Sequence, residues 1–245
     1  MVKEKIIEKK YQLYERIDET KDVIIVKFKP ENGQPLNFTP GMFIMISGID
    51  ETGKVREARA FSIASDPLSP ILELYAVKEH PLLGVMHRTF FLDAKINSTF
   101  IVKGPYGQFV FDINNDKKVL LIAGGTGVAP FMSFLKHMDA TSSNIDVVLM
   151  YSVRFPTDII RKDEIKEFEK KLNLKTIITV TRPQPNDNWN GLTGHIDSNM
   201  IKTQCTDFLE RKVYICGPLA FVKAMQDSLS SLGAKKENVK ADIWG

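Results

Sequence analysis

Three short stretches of this 245-residue chain bring together residue types whose spacing suits cofactor chemistry. The first is Gly124-Gly125-Thr126-Gly127-Val128-Ala129-Pro130, directly after the apolar run KVLLIA at 118–123. Glycines let the backbone turn tightly and approach a phosphate closely. A helix that follows offers unpaired N–H groups and the positive end of its dipole, worth about 0.3–1 kcal/mol to an anion. Pro130 suits the first turn of that helix, where no N–H is needed. The spacing G-x-G-x-x-P is a variant of the dinucleotide fingerprint, although a strand-to-helix turn with no ligand has the same composition. The second stretch is Arg59-Ala60-Phe61-Ser62-Ile63-Ala64-Ser65. Arginine holds a phosphate in a planar fork, an aromatic ring offers a stacking face, and serine is a small donor or acceptor beside a heterocycle. An ordinary strand with one core face competes with that reading. The third is Tyr214-Ile215-Cys216-Gly217-Pro218, at a strand end, where open α/β sheets bind ligands. Its alternative is a buried cysteine acting as a small hydrophobe.

The elements that must position these stretches fall into two kinds. Up to about Phe111 the chain reads as short β-rich runs at Val23–Phe28, Phe43–Ile46 and Ile71–Val77. Gly and Pro clusters at 30–35, 40–41, 66–70 and 104–107 separate them, the pattern of an antiparallel barrel or sandwich. A helix is expected near 83–92. From Lys118 the pattern changes to apolar runs at 118–123, 145–151, 176–181 and 212–216, with helical segments after the first, second and fourth, at 130–138, 162–172 and 219–232. Near-continuous apolar strands that alternate with helices mean a parallel sheet with right-handed crossovers. The polar turn at 112–117 is the expected boundary.

Composition excludes several classes. Lys plus Arg is 33 against 30 Asp plus Glu, a net charge of +3, too small to demand nucleic acid. Two cysteines, Cys205 and Cys216, cannot build a four-thiolate iron–sulfur cluster, a Cys-rich zinc site or a secreted disulfide framework, so no metal is expected. The charged start MVKEKIIEKK lacks a signal peptide's apolar core, and no apolar run approaches the roughly 20 residues that cross a bilayer. The expectation is a cytoplasmic protein without a membrane span.

Taken in order, Pro40-Gly41-Met42-Phe43, the 59–65 stretch, Gly104-Pro105-Tyr106-Gly107, the glycine turn and Cys216-Gly217-Pro218 resemble the ferredoxin–NADP reductase superfamily. That superfamily includes cytochrome b5 reductase and the reductase components of oxygenases, and the resemblance runs over nearly the whole chain. It implies an N-terminal antiparallel β-barrel that binds FAD, residues 1–115, then an α/β parallel-sheet domain that binds NAD(P)H, residues 116–245. On this resemblance Arg59 holds the flavin phosphates, and Phe61 stacks on the flavin where the family usually has tyrosine. Ser62 lies near flavin N5, with Ile63 beside it. Backbone groups of Ala76, Val77 and Lys78 track the ribityl chain and phosphates. Gly84, Val85, Met86 and His87 align with a helix start that holds the pyrophosphate, with His87 in place of the usual hydroxyl residue. Gly124, Gly125, Thr126 and Gly127 take the nicotinamide cofactor's pyrophosphate, and Cys216, followed by Gly217 and Pro218, approaches the carbon that gives hydride.

The resemblance places ribose recognition after Tyr151-Ser152-Val153-Arg154. Arg154, Arg161 and Lys162 suit a 2′-phosphate, whereas Asp158 between them suits ribose hydroxyls, and the balance leans to NADH. A charged helix facing solvent explains Arg161 and Lys162 equally well. At the C-terminus Asp242 and Trp244 match the spacing of an acid near the N5 serine and an aromatic over the flavin. Trp244 as an anchor of the last strand is the other reading. The implied function is a flavoprotein reductase that passes electrons from NAD(P)H through FAD to a separate acceptor protein, such as a ferredoxin or an oxygenase component. A non-catalytic flavin- or nucleotide-binding subunit is the rival class.

Overall fold

The computed structural model describes residues 6–50, 52–78 and 91–244. The chain forms two compact units: Met1–Val110 with Met132–His137, and Phe111–Phe131 with Met138–Gly245.

The first unit holds a six-stranded antiparallel sheet of β1 (Ile7–Asp18), β2 (Val23–Pro30), β3 (Phe43–Gly48), β4 (Arg59–Ser62), β5 (Leu72–Val77) and β6 (Thr99–Tyr106). The order is β4-β3-β6-β1-β2-β5, so β4 and β5 are the two edges. The sheet curls until these edges nearly meet. The Ala64 amide donates to the Glu73 carbonyl at 2.8 Å, and the Glu73 amide donates to the Ser65 hydroxyl at 3.3 Å. Inward residues of alternating strands, among them Tyr11, Leu13, Ile44, Ile46 and Leu74, fill the interior. Phe28, Phe91 and Phe100 meet there with ring centroids 5.1–5.8 Å apart. Gly41, at φ +96°, is required twice over: a Cβ on it would lie 1.9 Å from the Phe109 carbonyl oxygen. Met132–His137 packs within this unit. Ser133 donates to the Ser65 carbonyl at 2.7 Å, Lys136 pairs with Glu73 at 2.7 Å, and His137 meets Asp66 at 2.9 Å.

The second unit is a parallel sheet of β7 (Lys118–Gly124), β8 (Asp146–Val153), β9 (Leu174–Val180), β10 (Leu192–Thr193), β11 (Lys212–Pro218) and β12 (Val239–Trp244). Its helices are α1 (Ala129–Ala140, whose middle groups with the barrel), α2 (Lys162–Lys171), α3 (Ser198–Gln204) and α4 (Leu219–Ser231). The strand order is β10-β9-β8-β7-β11-β12. The chain therefore lays β8, β9 and β10 to one side of β7, then crosses back to put β11 on the other. Leu120, Ile122, Val148, Met150 and Ile215 form one face of the sheet, packed with Ile201, Val222, Met225 and Leu229 from α3 and α4.

At the end where these strands begin, Arg211 is 5% exposed and binds two carboxylates. Its guanidinium donates to Asp207 at 2.7 and 2.9 Å and to Asp146 at 2.9 and 3.0 Å, and reaches the Val119 carbonyl at 3.3 Å. This ties the entry of β11 to the starts of β7 and β8. The guanidinium's hydrogen bonds hold the Asp207 carboxyl down to about 2.

Several elements escaped the sequence reading: β1, β6, β10, α3 and β12. The cluster Gly104–Gly107, expected to separate strands, lies mostly inside one, because β6 continues through Tyr106. The helix expected near 83–92 falls almost wholly outside the described residues. Among the described residues no helix is long and apolar enough to cross a membrane, and no cluster of His, Cys, Asp and Glu could hold a metal.

Replacing Arg211 by alanine removes a buried guanidinium from two carboxylates that are each about a third exposed, and leaves Asp207 only its Lys118 partner; it should cost about 1.5–3 kcal/mol in urea unfolding. The carboxylate that Arg211 holds down also dictates a pH profile. Its stabilising share is complete above the ordinary aspartate range and is lost as pH falls from about 4 towards 2. Wild type should therefore lose more stability over that window than Arg211→Ala does.

Candidate functional site

Strand order reverses between β7 and β11, and open α/β sheets bind ligands beyond the strand ends at such a reversal. Both sequence motifs of this unit lie there. Ala123 of β7 is in register with Cys216 of β11. The chain then turns through Gly125–Val128 as a single 3-10 turn before α1 begins at Ala129, so helical winding starts earlier than Pro130 suggested. No side chain caps this turn, and its cap residue is Gly124. Gly125 takes φ +56° and faces open space, with nothing within 4 Å of a Cβ placed on it. Gly127 is the opposite case: a Cβ there would lie 2.2 Å from the Cys216 carbonyl oxygen. The two motifs thus touch through their backbones. Thr126, half-buried, lies between these glycines.

Cys216 is fully buried. Burial, then the nearby Asp242 charge, pushes its thiol well above the ordinary range, so it stays a neutral thiol. Asp242 is its register partner on β12, with Sγ 4.0 Å from Oδ2. Burial raises the Asp242 carboxyl as well, against one backbone hydrogen bond that lowers it. Gly217 is buried and Pro218 exposed, the latter capping α4. Trp244 is paired with Pro218 through the β12 ladder, and its side chain lies outside the described residues.

After β8, each arginine of the expected ribose loop has an acid. Arg154 Nε is 3.1 Å from Asp158, and Arg161 Nε is 3.3 Å from Glu164. Lys162 is exposed at the start of α2.

In the barrel unit, β4 carries Arg59, Phe61 and Ser62. Ser62 lies opposite Phe43 and Phe61 opposite Ile44, a core residue. Successive side chains point to opposite faces. Phe61 therefore turns inward, its ring 5.2 Å from that of Phe91, and Ser62 turns to the other face. Arg59 shares the face of Phe61, is 14% exposed, and has Glu57 at 3.5 Å. The Ile63 amide bonds back to Met42 and the Ala64 amide bonds across to Glu73. By the same alternation the backbone groups of Ala60 and Ser62 point away from β3, toward the open part of the seam. On β5 the Lys78 amide is given to the Asp22 carbonyl at 2.7 Å, and the Lys78 ammonium pairs with Asp18 at 2.8 Å. Ala76 is buried and faces β2 in register with Ile24, so Val77 and Tyr75 present the outward backbone groups of that edge. Ile63 is buried. Gly84, Val85, Met86 and His87 lie outside the described residues.

Sequence reasoning did not find Phe91 as the ring beneath Phe61, because the two are far apart in the chain. Nor did it find Tyr75, whose run LELYAV reads as plain strand.

Residues 121–227 match the family of oxidoreductase NAD-binding domains. The chain is 30% identical over 230 residues to sulfhydrogenase 1 subunit gamma of Pyrococcus furiosus, covering 91% of this chain and 74% of that protein. It is also 30% identical over 232 residues to the glycine betaine monooxygenase reductase subunit of Chromohalobacter salexigens, covering 94% of this chain. The chain belongs to the ferredoxin–NADP reductase superfamily. This member spans 62% of the length of the Chromohalobacter reductase subunit. Among solved structures it superposes on the ferredoxin reductase of carbazole 1,9a-dioxygenase with a TM-score of 0.82 at 25% identity, covering 98% of this chain and 70% of that one.

The raised Asp242 carboxyl makes a checkable demand. A group that the folded state prefers protonated costs stability once pH rises above the ordinary aspartate range, and costs nothing below it. Asp242→Asn should raise the melting temperature at neutral pH, and the gain should vanish at pH 3.

Proposed function

We propose that this chain is a flavoprotein reductase that takes hydride from NAD(P)H onto FAD and passes the electrons to a separate acceptor protein, a ferredoxin or an oxygenase component. The observation that carries the reading is the meeting of Gly125–Gly127 with Cys216–Pro218 at the reversal of strand order. The reductase subunits among its relatives support the acceptor as a separate protein. In this reading the first unit is the flavin-binding domain and the second the nucleotide-binding domain.

The residues present suit both groups. Gly125 leaves an open, positively turned backbone cradle for a pyrophosphate. The seam between β4 and β5 offers outward backbone groups beside a guanidinium, a ring and a hydroxyl. Arg59 holds flavin phosphate as a planar fork, for which its long contact with Glu57 is a weak competitor. Phe61 presents a ring face braced by Phe91. Ser62 supplies a hydroxyl near N5, and the outward backbone of Val77 serves the ribityl side. When bound, FAD supplies acceptance of a hydride and release of the two electrons singly. The chain's own work is positioning. Thr126 lines the approach of the nicotinamide. Cys216, a neutral thiol, adds a compact uncharged contact and no nucleophile. Asp242 keeps a proton at higher pH than an ordinary aspartate, which would suit it to hold, or pass on from solvent, the one proton that reduced flavin takes up besides the hydride. Asp242 and Cys216 are thus the reaction-side pair of the second unit.

The ion pairs after β8 favour NADH. A 2′-phosphate calls for uncommitted cations, and Arg154 and Arg161 each have a carboxylate partner. Asp158, paired with Arg154, puts a carboxylate at this loop, which suits ribose hydroxyls rather than a phosphate. In this reading the protein works in the cytoplasm, in keeping with its unpaired, buried cysteines.

The purified protein should be yellow, release FAD on denaturation, contain no iron, and be reduced rapidly when mixed with NADH. Released FMN, stoichiometric iron, or a flavin that NADH does not reduce would overturn the reading, the last in favour of a non-catalytic subunit. Arg59→Ala removes a hydrogen bond to a charged group worth roughly 1.5–3 kcal/mol, so flavin should dissociate about tenfold or more readily. The melting temperature of the flavin-free protein should stay at the wild-type value.

A further inference from the structure

Phe221 belongs to no motif, yet its ring touches both nucleotide turns. It is the third residue of α4, and side chains on a helix lean back toward its start. A Cβ placed on Gly124 would lie 2.9, 3.0 and 3.1 Å from three ring carbons of Phe221. A Cβ on Gly217 would lie 2.7 Å from the same ring and 3.4 Å from the Gly124 Cα. Gly124 itself has φ −117° and ψ 115°, extended backbone that any residue adopts. Its conformation therefore does not demand glycine, but the ring beside it does. The glycines of the turn thus have three separate causes: Gly124 admits a ring, Gly125 takes a left-handed conformation into open space, and Gly127 admits the Cys216 carbonyl.

We propose that Phe221 is a positioning residue of the nucleotide site, the ring that packs against both the glycine turn and the Cys-Gly-Pro turn and fixes how the two meet. Gly124 and Gly217 are glycine to seat this ring, and the phosphate is received at Gly125. The proposal deepens the nucleotide-binding reading above and rests on it. Hydride transfer tolerates little misplacement of the nicotinamide, and the pyrophosphate and the reactive ring are held by different turns. A ring packed against both turns therefore acts on the rate at saturating nucleotide more than on flavin retention. A ring that served only stability would lower the melting temperature and leave that rate alone.

The test is a double-variant cycle on the full flavin-loaded chain, with Gly124→Ala, Phe221→Ala and the two combined, read by thermal melting, NADH titration and stopped-flow flavin reduction. Phe221→Leu is the milder substitute should Phe221→Ala fail to fold. Gly124→Ala alone should weaken NADH binding and lower the melting temperature. Without the ring the same change should cost little, a coupling of about tenfold in affinity, as expected for side chains in contact. Phe221→Ala alone should slow reduction at saturating NADH by about tenfold or more with flavin content unchanged. Equal losses from Gly124→Ala with and without the ring, or a wild-type reduction rate in Phe221→Ala, would overturn the proposal. Failure of the functional reading is visible separately, as a wild-type protein that NADH does not reduce. The melting cycle then decides the seating of the ring alone, rescue supporting it and equal losses rejecting it.

Discussion

The backbone of Gly127 comes so near the Cys216 carbonyl oxygen that a Cβ would stand 2.2 Å from it, and the second unit is built to permit that approach. Two strand ends can meet this closely only if their strands are hydrogen-bonded neighbours in register, as Ala123 and Cys216 are. In a parallel sheet, neighbours that are distant in sequence require a crossover. Here the crossover brings the chain back from β9 and β10 across β7 to β11. Small residues follow from the same demand, since Ala123, Gly124, Gly127 and Gly217 stand where the two turns meet. The fold and the motif are one constraint seen at two scales: the reversal of strand order makes the crevice, and the glycines let its two walls touch.

The two ends of that sheet treat their aspartates in opposite ways. At the strand starts, Asp207 lies against the Arg211 guanidinium and is held down to about 2. At the strand finishes, burial without a cation raises Asp242 and the thiol beside it. The residue type is the same and the neighbour differs, which is the ordinary cause of divergent carboxyl affinities. The consequence is a division of labour. Charge at the root fastens β7, β8 and β11 together, and the crest holds a neutral thiol and a carboxyl whose affinity for its proton is raised, beside an open backbone turn. Ion pairs at the crest would instead lower the affinity of Asp242 for its proton.

Much of this was legible from the residues. The apolar runs at 118–123 and 212–216 read directly as strands, because a strand covered on both faces needs no polar residues. In two of the strands that escaped notice, β1 and β12, charged residues share a face with buried ones. In β1, Lys9 shares a face with Tyr11 and sends its ammonium to the Gln34 and Pro35 carbonyls, and past the register shift between Leu13 and Glu15 it is Arg16 that lies opposite the core residue Val26. The alternation is present but hidden, since long side chains carry their charge to the rim. β12 is hidden by Lys240 and Asp242, which share a face with Tyr214 and Cys216; the Lys240 ammonium sits 5.2 Å from the Tyr214 ring centre. In β6 the Gly-Pro pair reads as a break. The structure uses Gly104 instead for a close pass over Ile44, where a Cβ would lie 3.1 Å from Cγ2. Of the candidate site, residue types were readable. Contacts such as Phe61 on Phe91 and Phe221 on two glycines were not, because no local pattern encodes a meeting across the fold.

The barrel's incomplete closure poses its own accounting question. Edge strands carry unpaired amides and carbonyls, and proteins ordinarily shorten or cover them. β4 is four residues long, which limits the exposed row to the outward groups of Ala60 and Ser62. One further turn of closure, of the kind Ala64 and Glu73 already make at 2.8 Å, would satisfy those groups and seal the seam. Among the described residues the backbone groups of Ala60 and Ser62 face the seam from β4, with Val77 on the facing edge strand β5. Every buried backbone group needs a partner, so an open lip must be met by water or by a ligand with its own donors and acceptors. The period of two then decides what else the strand can offer. Phe61 is held inward by the core, which fixes a ring at the seam, and the next residue, Ser62, necessarily presents its hydroxyl on the other face. A single short edge strand thereby supplies an apolar surface, a hydroxyl and free backbone groups within two residues. The ring and the hydroxyl lie on opposite faces with the outward backbone between them, and a fully hydrogen-bonded barrel would have no edge from which to offer that backbone.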